Sequence, residues 1–185
     1  MKIAFILFND INWLDLAGVY EPLLMLKRYG YAPDLQWDFC AMTEAVTDEG
    51  GLVIQPGKRA GSLHEYDALI VPGGKGTRAL QHDADFIAWL QSANPSALKI
   101  SVCTGSLLLG AAGFLTEKTA TTHFKSYEAL KPYCSSVSHE RIVEDGAVIT
   151  AGAVTASIDL GLFLVRKWAG DDADVYIRHV MDYQG

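Results

Sequence analysis

The chemistry most legible in this sequence lies at Cys103, in SVCTGSLLLGAAG (101–113), where an apolar run gives way to small residues. A thiolate is a nucleophile for an electrophilic carbon when a base and hydrogen-bond donors stand near it. If a helix opens after Cys103, its free amides and dipole favour negative charge, which predicts a lowered thiol pKa and a place for an oxyanion. The small residues Thr104, Gly105 and Ser106 permit the sharp turn such a junction needs. A buried packing cysteine is the alternative reading, and it is the one that suits Cys40 and Cys134.

Three other places bear on Cys103. Gly73-Gly74-Lys75-Gly76-Thr77-Arg78 follows another apolar run, but its spacing fits neither G-x-G-x-x-G nor a phosphate-binding P-loop. Its glycines suit a close backbone approach to Cys103, with one amide as a donor. Asp15 is placed either to cap the first turn of a helix or to reach the thiol with its carboxyl. Glu21, six residues further on, is a second candidate for a buried partner. Of His64, His82, His123, His139 and His179, only His123, in TTHF, follows the Cys103 segment closely enough to be expected near the site.

The elements that must position these residues alternate. IAFILF (3–8), LQWDFCA (35–41), DALIVPGG (67–74) and ALKISVC (97–103) read as strands, several of them apolar on both faces as buried parallel strands are. A short strand and turn are expected at 51–58, and a hairpin over 140–149 around Asp145-Gly146. Helical spacing covers 15–29, 83–92, 106–115, 125–131, 155–168 and 172–183. The pattern predicts a three-layer α/β/α sandwich, flavodoxin-like, around a largely parallel sheet, in which ligands collect beyond the carboxyl ends of the strands. Asp15, Gly73-Gly74 and Cys103 all fall at that edge. Residues 1–185 read as one domain, with no repeat or linker to divide them.

The formal net charge of −7 argues against nucleic acid and acidic membranes as partners. No run approaches the roughly 18 apolar residues of a spanning helix, and the opening MKIAFILFND reads as a first strand rather than a leader. Three cysteines without a C-x-x-C pair suggest a reducing, cytoplasmic setting, with no structural metal and no cofactor.

LDLAGVYEPL (14–23), DALIVPGGKGTRAL (67–80), SVCTGSLLLGAAGFL (101–115), ATTHF (120–124) and VEDGAVITAGAVTASIDLGLFLV (143–165) together resemble the ThiJ/PfpI superfamily, whose fold is shared with class I glutamine amidotransferase domains. The branch most similar is that of the isocyanide hydratases, with the amidase-like domain of AraC-type regulators beside it. Those regulators carry a helix-turn-helix module downstream that this chain is too short to hold. The resemblance implies Cys103 as nucleophile at a strand-to-helix elbow, Asp15 as its acid–base partner and Thr104 beside the aspartate. It further matches Gly74 to a loop whose backbone faces the cysteine and His123 to a nearby histidine outside any triad; the residues themselves suggest Gly74 and Thr104 as backbone donors, with Gly73 and Glu21 near the site. Threonine after the cysteine, in place of the histidine of proteases and glyoxalases, argues against those activities. Val19 stands where the family has proline, Pro22 follows Glu21, and GAVTAS (152–157) replaces the more usual GGVTAG through Ala153 and Ser157.

The function so implied is a cysteine-dependent lyase that hydrates a small isocyanide to an N-substituted formamide without a cofactor. The superfamily usually forms dimers with the site near the interface, so a homodimer is expected, with Trp13, Val19 and Tyr20 as pocket or interface residues. Three alternatives stay open: a glyoxalase- or deglycase-like enzyme on reactive carbonyls, a cysteine-based redox or stress sensor, and a non-catalytic small-ligand-binding domain.

Overall fold

The computed structural model describes residues 1–185. In chain order it runs β1 (Lys2–Ile6), α1 (Trp13–Arg28), β2 (Gln36–Ala41), β3 (Val46–Thr47), β4 (Val53–Ile54), β5 (Lys58–Arg59) and β6 (Ala68–Val71). There follow α2 (Thr77–Leu80), α3 (Ala84–Gln91), β7 (Leu98–Val102), α4 (Gly105–Ala111), β8 (Thr119–Ala120) and α5 (Tyr127–Leu130). The chain closes with β9 (Ser136–Val137), β10 (Ile142–Asp145), β11 (Val148–Ala151), α6 (Ala156–Ala169) and α7 (Asp171–Val180).

Seven strands form one sheet in the order β10-β11-β7-β6-β1-β2-β5, parallel throughout except for β10 against β11. The apolar runs sit where their composition demands. Ile3–Ile6 and Ala68–Val71 are central and fully buried because helices cover both faces of the sheet. Helices α1, α6 and α7 pack together on one face, and α2 to α5 on the other. The three-layer α/β/α sandwich with a largely parallel sheet is therefore the architecture. No helix is long and apolar enough to cross a membrane.

Several expectations change locally. Asp15 does not cap α1: Asn12 does, its Oδ1 accepting from Leu14 N at 3.1 Å and Asp15 N at 3.3 Å. The cap starts the helix at Trp13 and places Asp15 within its first turn, fully buried. Val53–Ile54 pairs with Val46–Thr47 as a small antiparallel ribbon outside the main sheet. The 125–131 segment is one turn of α-helix flanked by 3₁₀ turns, and α4 stops at Ala111 before Gly113 turns the chain with φ +82°. Val19 is fully buried, and Tyr20 packs edge-on against Phe5, Trp37 and Phe39. The helix thus turns Val19 wholly into the core, while Tyr20 stays half-buried.

Helices α1 and α6 meet at small residues. A Cβ on Gly18 would lie 2.0 Å from Ser157 Oγ, and one on Gly161 would lie 2.7 Å from Pro22 Cγ. Ser157 Oγ donates to Leu14 O at 3.0 Å, joining the start of α6 to the first turn of α1. Pro22 has no N–H for Gly18 O, and Gly161 packs against that carbonyl. Two of the departures from the family pattern thus lie in one helix crossing, not in the cavity.

Candidate active site

Four loops converge at the carboxyl edge of the sheet. The β1–α1 loop and the β6–α2 loop bridge at Ile11 and Gly74, with Asn12 N donating to Gly73 O at 2.8 Å. The other two are the β7–α4 turn at Cys103 and the β11–α6 turn at Gly152–Thr155. Glycine is required where they touch. A Cβ on Gly73 would stand 2.7 Å from Asp15 Oδ2, 2.7 Å from Thr104 N and 2.8 Å from Cys103 Cβ. That single point shows how tightly the aspartate, the cysteine and the following amide are gathered. A Cβ on Gly105 would meet Val71 O at 2.1 Å, so α4 can start directly against the end of β6 only with glycine there.

Cys103 takes φ +53°, a left-handed conformation that strains a residue with a Cβ. Its backbone is held from both sides. Cys103 N donates to Ala151 O at 3.0 Å and Gly152 O at 2.9 Å. Its carbonyl accepts from Thr122 Oγ1 at 2.9 Å and Ser106 Oγ at 3.1 Å. These bonds fix a turn that aims the thiol into the cavity. The thiol is not acidified, contrary to the expectation from the helix amides. Burial and the neighbouring Asp15 carboxyl push it up to about 12, against the pull of the Thr104 and Val154 N–H groups. Helix α4 has only seven residues, and the cost of desolvating a thiolate outweighs its small dipole.

Asp15 is pushed up to about 7, chiefly by burial, and further by the charge of Glu49; the Gly73 N–H and the Cys103 thiol oppose the rise. Oδ2 accepts from Gly73 N at 2.9 Å, whereas Oδ1 is buried without a hydrogen-bond partner. The carboxyl therefore has one anchored oxygen and one free to carry a proton.

Thr104 and Gly74 are present; the Thr104 amide keeps the donor part expected of it, but its hydroxyl and Gly74 take other parts. The Thr104 hydroxyl does not hydrogen-bond Asp15. It lies 3.2 Å from both Gly74 N and Gly74 O, and 3.0 Å from Thr77 Oγ1. Because Gly74 N donates to that hydroxyl, it is not a free oxyanion donor. The donors that reach the sulfur are the backbone amides of Thr104 and Val154. Val154, at φ +26°, is a second strained residue, and it comes from the GAVTAS segment.

Glu21 is not the buried partner. Six helical residues place it about 120° around α1 from Asp15 and about 9 Å along the axis, and it is half-exposed outside the cavity. His123 does line the cavity, with Cys103 and Thr104. Its Nδ1 accepts from Lys125 N at 3.1 Å, so the ring presents Nε2–H as a donor. Burial and the charges of Lys125 and Arg78 hold its pKa below the usual range. A base must accept, and the accepting nitrogen is occupied. Cys40 and Cys134 lie elsewhere, and no cysteine is in a disulfide.

The cavity encloses about 220 Å³, and its wall also includes Asn12, Glu49, Lys75, Arg78 and Lys125. Sequence reasoning missed Val154, Lys125 and the part played by Arg78. The segments that hold Val154 and Arg78 had been noticed, but which way each residue faces depends on the tertiary fold.

Comparison with known proteins places these features in a lineage. Isonitrile hydratase from Pseudomonas putida is 34% identical over 188 aligned residues, spanning 99% of this chain and 78% of that protein. The transcriptional regulator GbdR of Pseudomonas aeruginosa is 25% identical over 187 residues, and there the chain matches only 51% of the regulator's length. Among solved structures, a THiJ/PfpI family protein from Pseudomonas syringae superposes with a TM-score of 0.89 at 30% identity, covering 100% of this chain and 75% of that one. Drosophila melanogaster DJ-1beta shares the fold, with a TM-score of 0.83 at 18% identity over 100% of this chain and 98% of its own. The family model described as DJ-1/PfpI matches residues 1–167, a stretch that contains every residue around Cys103. On that match, which takes in most of the sequence, this chain belongs to the DJ-1/PfpI family.

Proposed function

We propose that the protein is an isonitrile hydratase, adding water to R–N≡C to give R–NH–CHO with Cys103 as nucleophile and Asp15 as acid–base group. The observation that carries this reading is the convergence of Asp15, Cys103 and the Thr104 amide around Gly73. The 34% identity to an isonitrile hydratase supports the reaction class.

The proton inventory suits the chemistry. Near neutral pH the Cys103–Asp15 pair holds a proton on sulfur, while the carboxyl sits close to its own midpoint. Asp15 takes the thiol proton and delivers it to the terminal isocyanide carbon as sulfur bonds to that carbon, giving R–N=CH–S–Cys103. The Asp15 carboxylate takes a proton from water as the water adds to the thioimidate carbon, and passes that proton to nitrogen. The tetrahedral R–NH–CH(OH)–S–Cys103 then collapses to the formamide and expels sulfur, which recovers its proton. The Thr104 and Val154 amides stabilise negative charge on sulfur as it attacks and as it leaves. The Thr104 hydroxyl positions the Gly73-Gly74 loop rather than the aspartate.

We further propose a homodimer in a reducing, cytoplasmic setting. Three unpaired cysteines support the setting, and the exposed Trp13 and Leu14 beside Asn12 at the cavity rim support a second copy packing there. Formamide production from small alkyl and aryl isocyanides tests the reaction. Wild type is expected to turn over, and folded Cys103→Ser and Asp15→Asn are expected to lose turnover. A wild type inert toward isocyanides of every size overturns the reaction, and an active Cys103→Ser overturns covalent catalysis.

A further inference from the structure

The wall of the Cys103 cavity has a sign that the hydration chemistry does not use. In a chain of net charge −7, Lys75, Arg78 and Lys125 all face this small cavity. None of them belongs to any of the molecule's ion pairs. Glu49 is the one carboxylate on the wall, its Oε1 accepting from Lys75 N at 2.7 Å, so three cations stand there against one anion.

Arg78 is the best placed of the three cations. Its Nη1 donates to Thr77 Oγ1 at 3.0 Å and its Nη2 to Ser126 Oγ at 3.3 Å. Thr77 Oγ1 is in turn 3.0 Å from Thr104 Oγ1, so hydroxyls link the guanidinium to the residue after the nucleophile. Two N–H groups of five are spent, and the rest of a rigid planar fork is left for a ligand. The His123 Nε2–H adds a neutral donor to the same wall, where the charges of Lys125 and Arg78 both act on the imidazole. Only Cys103 and Val154 supply apolar character to the wall, which does not suit a greasy substituent.

We propose that Arg78, Lys125 and His123 form an anion subsite, and that the preferred substrate is a small isocyanide carrying a carboxylate. The substrate part rests on the hydratase reading; the subsite does not. A carboxylate paired with a planar guanidinium is held in two directions, which presents the isocyanide carbon to Cys103 in a fixed orientation. Arg78 and Lys125 are thus specificity-determining residues, Arg78 being linked through Thr77 to the residue after the nucleophile.

Two paired probes test this on wild type, Arg78→Gln, Arg78→Lys and Lys125→Gln. The first is the rate of Cys103 alkylation by iodoacetate relative to iodoacetamide, located by peptide mapping; it needs no turnover. The second is kcat/KM for isocyanoacetate relative to its methyl ester. Wild type is expected to favour the anion in both pairs. Each ratio is expected to fall about tenfold in Arg78→Gln and several-fold in Lys125→Gln, with Arg78→Lys between. Ratios that are equal in wild type and both glutamine variants overturn the subsite. Both isocyanides hydrated without preference overturns it while leaving the hydratase reading intact. Iodoacetate preference without hydration of either isocyanide upholds the subsite and overturns the substrate.

Discussion

Gly73 N donates to Asp15 Oδ2 at 2.9 Å, joining the loop after β6 to a carboxyl borne 58 positions earlier on α1. The bond is possible only because nothing projects from the Gly73 Cα, and three groups would collide with a methyl there. Gly73→Ala is therefore expected to lower stability by about 1–3 kcal/mol and to depress turnover by at least about tenfold, since Asp15 and Cys103 are forced apart. Thermal unfolding and formamide assays on the same preparation check both. Full activity in the alanine variant would contradict the described packing.

The pair's protonation sets a pH profile. Turnover requires Asp15 ionised to accept the thiol proton, so kcat/KM is expected to rise with pH through about 7 and to hold until the thiol ionises near 12. A rate profile from pH 5 to 9 locates the lower midpoint. A midpoint near the ordinary carboxylate value of 3.8 would remove burial as the controlling influence on Asp15.

The same burial has a consequence for stability. Asp15 binds its proton more tightly folded than unfolded, with midpoints of about 7 and 3.8. Its contribution is greatest below the unfolded midpoint and is lost as pH rises toward the folded one. The loss is at most about 4 kcal/mol, and it levels off above that point. Asp15→Asn lacks this titration. Relative to wild type it is expected to gain stability progressively between pH 4 and 7 while losing activity. Denaturant unfolding at several pH values measures the gap.

Thr122 supports the strained cysteine without touching the reaction. Thr122→Val deletes the hydroxyl that donates to Cys103 O and keeps the side chain's shape. A loss of about 1–2 kcal/mol is expected, with a fall in kcat exceeding the change in KM because the turn loosens. An unchanged kcat would mean that Ser106 and the backbone bonds suffice to hold φ at Cys103.

His123→Gln is expected to alter KM for charged substrates and to leave the pH midpoint where Asp15 sets it, because the accepting nitrogen of the imidazole is already engaged. A shifted midpoint would return His123 to the list of proton carriers.

How much of this was legible in the sequence follows from the range of the interactions. Cys103 and Gly73 could be placed because buried parallel strands are short apolar runs and the residues after them occupy one edge of the sheet. The rejection of Glu21 was also within reach, since 100° per helical residue separates positions 15 and 21. Which residue caps α1 turned on whether the helix began two residues earlier than its apolar spacing suggested. The direction of the Cys103 pKa shift was not legible, because a local feature, the helix amides, competes with burial and with Asp15, which are tertiary. Val154, Arg78 and Lys125 reach the cavity from the β11–α6 turn, α2 and a 3₁₀ turn, and nothing in their own segments announces where they face.

The crossing of α1 and α6 adds a constraint on how this site can vary. Asp15 is carried by α1, and the distance from α1 to α6 is set where Gly18 faces Ser157 and Pro22 faces Gly161. A larger residue at 18 or 161 would tilt α1 and draw the carboxyl away from sulfur, far from any catalytic loop. A substitution at 18, 22, 157 or 161 therefore acts on the site through the helix crossing, and grafting Asp15 and Cys103 onto a neighbouring scaffold would have to carry all four along.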